Sequence, residues 1–136
     1  MKELAVKYFL EQGYSCSESV VKSAVDKGLV NESLLPVATP FSGGMGNGCL
    51  CGAVAGMQLV IGARKGRHNA TEQTDAKMLA KTAVEKFKEK NKYTCCKALT
   101  AGFEMHSPER KQHCCKMVSD CVEILEEIFA EELANI

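Results

Sequence analysis

Apolar residues in this chain return every three or four positions almost from end to end, and nowhere do they alternate as a strand would require. Leu4, Ala5, Tyr8 and Phe9 fall on one helix face, and Gly13 closes that helix. Ser15-Cys16-Ser17-Glu18 has the form of a capping box: Ser15 would cap the helix and Glu18 would reach back to it. The helix it opens turns Val20, Val21, Ala24 and Val25 inward and stops at Gly28. Asn31 caps a short segment that Pro36 and Pro40 keep short. A further helix is expected from about Leu50 to Ala63. Asn69 with Glu72 reads as a second capping box, opening a long helix to about Lys90 with Leu79, Ala80, Ala83 and Phe87 inward. A short helical piece holds Cys95 and Cys96. Ser107-Pro108-Glu109 then starts a last helix to about Leu133, which buries Val118, Cys121, Val122, Leu125 and Phe129. The pattern predicts an all-α fold, a single-domain helical bundle of about five to six helices over residues 1–136.

One stretch interrupts this regularity. GGMGNGCLCGAVAG, residues 43 to 56, packs six glycines and two cysteines into fourteen residues. A phosphate loop would need a preceding strand and a G-K-[ST] ending, and a dinucleotide loop would need a βαβ unit. Neither context is present. The glycines permit close backbone approach and positive φ just before a helix. Gly52 and Gly56, with Ala53 and Ala55 between, would give that helix a smooth face for a neighbour.

The chain carries eight cysteines, and their meaning depends on the compartment. MKELAVKYFLEQG lacks an apolar h-region and is not expected to be a secretory signal. The long uncharged run from 33 to 63 is broken by glycine and proline, so no membrane span is expected. The expected location is cytoplasmic, where cysteines serve as metal ligands, redox groups or small buried hydrophobes rather than as a disulfide scaffold. With 17 basic and 17 acidic side chains the net charge is zero, which argues against a nucleic-acid footprint. There is no C-x-x-C, only C-x-C at 49 to 51 and adjacent pairs at 95/96 and 114/115, so ordinary zinc fingers and ribbons are not indicated. Cys16 and Cys51 both fall at helix N-termini, where unpaired N–H groups favour a thiolate and lower the thiol pKa.

With these residues in place the chain resembles the C_GCAxxG_C_C family, small bacterial and archaeal proteins whose redox role is itself inferred from four characteristic cysteines. The core of the signature stands here as Cys51-Gly52-Ala53-Val54-Ala55-Gly56, with Cys16 upstream in Tyr14-Ser15-Cys16-Ser17-Glu18. The third cysteine is similar to Cys96 in Cys96-Lys97-Ala98-Leu99, and the fourth to Cys115 in Cys115-Lys116-Met117-Val118. The signature places glycine before cysteine, whereas Gly52 here follows Cys51. Four additional cysteines, Cys49, Cys95, Cys114 and Cys121, leave the register open at 95 versus 96 and at 114 versus 115.

The preferred reading is that Cys16, Cys51, Cys96 and Cys115 converge on a metal centre, an iron–sulfur cluster with zinc as the alternative, for electron transfer or sensing. A second reading uses the same four as metal-free redox-active thiols, one nucleophilic and one resolving. The third is an inert helical interaction module. No catalytic residue is assigned beyond these thiols, the redox partner is unknown, and the pattern does not decide between a monomer and a homodimer. Cys121 is assigned to packing, His113 to an exposed position, and Met45 and Met57 to gap filling.

Overall fold

A computed structural model describes residues 1–136 and is all-α, with eight α-helices and no strands. Five are long: α1 (Lys2–Glu11), α2 (Cys16–Asp26), α4 (Gly52–Lys65), α5 (Ala76–Asn91) and α7 (Pro108–Ile128). Three are short: α3 (Leu35–Ala38), α6 (Cys96–Leu99) and α8 (Ala130–Ala134). The long helices make the bundle, and α7 is its axis, packed against α1, α2, α4 and α5. Val20, Val21, Val54, Met57, Val60, Ile61, Phe87, Val118, Val122 and Leu125 close the core from α2, α4, α5 and α7. No helix is long and apolar enough to cross a membrane.

The caps at Ser15 and Ser107 form as expected. Ser15 Oγ accepts from Glu18 N at 3.3 Å, and Ser15 N donates to Glu18 Oε1 at 2.9 Å. Thr39 Oγ1 donates to the other oxygen of Glu18 at 2.7 Å, tying the turn after α3 to the start of α2. Arg110 N donates to Ser107 Oγ at 3.1 Å, with Pro108 as the first helical residue. Since the Ser15 box serves two backbone groups and orients Glu18, Ser15→Ala is expected to cost about 1–2 kcal/mol. A shift of the urea midpoint with unchanged slope would measure it.

Two expectations are corrected. The helix expected from Asn69 begins at Ala76 instead. Asn69 Oδ1 does accept from Thr71 N and Glu72 N, both at 3.0 Å, but this closes an isolated turn rather than opening a helix. The last helix breaks at Phe129 (φ −106°, ψ 24°), and the change of direction keeps its ring fully buried while Glu132 pairs with Lys65 of α4 at 3.0 Å.

Candidate functional site

Four local devices bring sulfur to one end of the bundle. The capping box fixes Cys16 as the first residue of α2. Ser17 Oγ, beside it, donates to Ala38 O at 2.7 Å and so anchors that helix start to α3. Cys51 is the N-cap of α4. Its position is set by an isolated antiparallel bridge between Leu50 and Cys95: Cys51 N donates to Thr94 O at 2.7 Å, and Cys96 N donates to Cys49 O at 2.5 Å. This two-rung pairing fastens the glycine loop to the segment carrying Cys96. Cys114 follows two turns into α7 from the Ser107 cap.

The glycines are there for close approach. A Cβ on Gly52 would strike Cys16 Sγ and stand 3.0 Å from Phe41 O. A Cβ on Gly56 would stand 2.8 Å from Ser17 O and 3.2 Å from Val20 Cβ, so α2 lies directly on this face of α4. Gly44, at φ +65°, would place a Cβ 2.9 Å from Cys96 Cβ. The left-handed turn that runs through Gly43, Gly44, Met45 and Gly46 therefore wraps the Cys96 side of the site.

Cys16, Cys51, Cys96 and Cys114 all line one cavity of about 470 Å³. Cys115 does not line it; its side chain is buried in the core from the neighbouring face of α7. Of the four cysteines expected at the site, Cys16, Cys51 and Cys96 line this cavity and Cys115 does not, while Cys114 does. Between 95 and 96, the cavity takes the buried Cys96, while Cys95 is exposed with Sγ 3.4 Å from Gly48 O. All eight cysteines are free thiols. Arg110, Lys111 and His106 line the same cavity, and no aspartate or glutamate does. Arg110 Nη2 lies 3.8 Å from Cys96 Sγ.

The expected lowering of the Cys16 and Cys51 thiol pKa values is overturned. Burial pushes Cys51 up to about 12, although the N–H groups of Val54 and Ala53 act the other way. Burial likewise raises Cys16, against the N–H groups of Gly43 and Ser17. It also raises Cys114, against the nearby Arg110 guanidinium. Desolvation of a thiolate outweighs the helix-terminal N–H groups at these positions. The sign for stability follows. Between the ordinary thiol value of 9.0 and about 12, the native state holds a proton on Cys51 that the unfolded chain has released. The contribution is full below pH 9.0 and is lost as pH rises toward 12. Metal-free, reduced protein should thus weaken above that lower value, and Cys51→Ala should weaken less steeply, as read from urea midpoints across pH.

Other expectations resolve simply. Cys121 is fully buried in the core. Met57 is buried, but Met45 is exposed and fills no gap. His113 is half-buried, not exposed: its Nε2 is 2.7 Å from Leu99 O and its ring stacks on Phe103 with centroids 4.6 Å apart, so it fastens α6 to α7.

A glycine-cushioned cysteine thus opens α4, and cysteines of α2, α6 and α7 line the same cavity. A family model described as "Putative redox-active protein (C_GCAxxG_C_C)" matches residues 14–128. The chain belongs to the C_GCAxxG_C_C family. The match begins just before the Ser15 cap and ends at the last residue of α7, so it takes in every cysteine of the cavity. No curated protein and no solved structure matches the chain.

Proposed function

We propose that Cys16, Cys51, Cys96 and Cys114 hold an iron–sulfur cluster that serves electron transfer or sensing. The observation that carries this reading is the meeting of four cysteines from four separate elements in one cavity free of carboxylates. A single tetrahedral zinc would need thiolate sulfurs about 3.8 Å apart, from a zinc–sulfur distance of about 2.3 Å. No group of three or more His, Cys, Asp or Glu side chains is drawn together to hold one ion. Four-thiolate ligation is common to iron–sulfur clusters, and a partly apolar, glycine-lined cavity suits a cluster better than zinc.

A cluster held there would supply one-electron chemistry at a potential tuned by its surroundings. The chain's own contribution is legible in its residues. Gly52 and Gly44 let Cys16 and Cys96 come close to α4 and the loop. Phe9, Leu99 and Met117 make one wall apolar. The N–H groups of Gly43, Ser17, Ala53 and Val54 stabilise sulfur as thiolate once its proton has been displaced. The cytoplasm is the fitting compartment, since free thiols persist in reducing surroundings.

One observation favours the metal-free thiol reading: a cation, the Arg110 guanidinium, stands 3.8 Å from Cys96 Sγ in the cavity. Anaerobic purification with an absorption spectrum, iron and acid-labile sulfide analysis separates the two. Brown protein with stoichiometric iron and sulfide is expected. Colourless, iron-free protein with two fast-reacting thiols would replace the cluster by the thiol pair.

A further inference from the structure

We propose that the cleft beside the four sulfurs binds a small molecule through a carboxylate or phosphate group, with Arg110 and Lys111 as its counter-charges. This rests on the four-cysteine cavity being the protein's site; Arg110 also faces Cys96 Sγ at 3.8 Å, so the test below reads iron and anion on the same samples.

The cavity does not end at the sulfurs. A second one, of about 480 Å³, adjoins it and shares Gly43, Cys96, Thr100, His106 and Arg110. Together they form a recess of the size that takes small molecules. Its charge is one-sided. Arg110 and Lys111 line the first cavity, Arg110 and Lys97 the second, and no aspartate or glutamate lines either. None of these three cations makes an ion pair, although the chain has as many acids as bases.

Arg110 is the central element. It is half-buried, it lines both cavities, and its position is held by the Ser107 cap through its own backbone N–H. A partly desolvated guanidinium without a carboxylate is an electrostatic vacancy that an anion fills, and its planar fork matches carboxylate and phosphate oxygens. Lys111, itself exposed, adds a second charge at the first cavity, with its ammonium 5.5 Å from the Phe9 ring centroid. Such an arrangement holds an anionic group within reach of the sulfurs, where a redox centre meets its substrate or effector.

The test is calorimetric titration of the protein as purified, anaerobically and at low salt, with inorganic phosphate in one arm and succinate in the other. Saturable binding at one site is expected, and the arm that binds more tightly names the source of the oxyanion. Arg110→Gln should weaken it about tenfold or more, the effect of losing a charge-assisted hydrogen bond. Lys111→Gln should weaken it by a smaller factor, and serves as the second variant should the first fold poorly. Lys77→Gln, an exposed α5 lysine remote from the recess, should change nothing. No saturable binding of either anion, or equal weakening by Lys77→Gln, would overturn the proposal. Iron measured on the same samples separates it from the cluster reading: anion binding without iron sinks only the cluster, and iron without anion binding sinks only the recess. An Arg110→Gln protein that loses iron and anion together also overturns it, because Arg110 would then serve the sulfurs and not a ligand.

Discussion

Alanine at Cys114 is expected to strip the protein of its iron, and alanine one residue on, at Cys115, to leave it. Both are in α7, and a helix turns about 100° per residue, so adjacent side chains face different neighbours. The Cys114 side chain reaches the cavity that Cys16, Cys51 and Cys96 also line. That of Cys115 sits in the core, where burial raises its pKa and Ser119 partly offsets the rise. Cys16→Ala, Cys51→Ala and Cys96→Ala should join Cys114→Ala in abolishing the brown absorption and the bound iron. Cys115→Ala and Cys121→Ala should keep a full complement and lose only packing, about 1 kcal/mol each in urea. Iron per chain after anaerobic reconstitution reads the result directly. If Cys115→Ala empties the site and Cys114→Ala does not, the cavity drawn here is not the one that holds the metal.

That choice marks where the sequence stops being readable. Period and caps suffice for the fold class: Ser15, Ser107 and the inward stripes on α2, α5 and α7 all carry short-range physics written in neighbouring residues. The 114/115 register is different. Counting back from the buried Val118 and from Cys121 and Val122, positions 114 and 115 both fall on the inward side of α7. Which of them meets the other sulfurs depends on how α7 is rotated against α2 and α6, a tertiary fact with no local signature. The Leu50–Cys95 bridge is equally hidden, because a single isolated bridge has no alternation to detect. The thiol pKa values fail for a related reason. A helix N-terminus can be read from a cap, but the depth of burial that outweighs it cannot. Asn69 shows the converse, a local signal that is real but closes only a turn, since residues 71 to 75 offer no apolar side chain before Ala76 and α5 can pack.

Three glycines on α4 should give three different outcomes when each is replaced by alanine. In an open helix position the change is favourable by about 1 kcal/mol, because alanine loses less backbone entropy. Gly62 is such a position: nothing lies within 4 Å of its added Cβ, so Gly62→Ala should raise stability by up to that amount. At Gly56 the new methyl would stand 2.8 Å from Ser17 O, a backbone atom that moves only if α2 moves. Separating the two helices would open the Val20, Val21 and Val54 contacts at the centre of the core. Overpacking of this kind costs about 1–3 kcal/mol, which exceeds the entropic gain, so Gly56→Ala should lower the urea midpoint where Gly62→Ala raises it. Gly52 differs again. Its methyl would meet the sulfur of Cys16, and a short side chain yields more easily than a helix. Gly52→Ala is therefore expected to leave helical content nearly unchanged while turning Cys16 out of the cavity, and its iron content should match that of Cys16→Ala. Circular dichroism and iron analysis on the same three proteins separate a spacer for the bundle from a spacer for the sulfur. If Gly52→Ala keeps its iron, Cys16 does not need this approach to α4, and the first glycine of the CGAVAG run has been given the wrong neighbour.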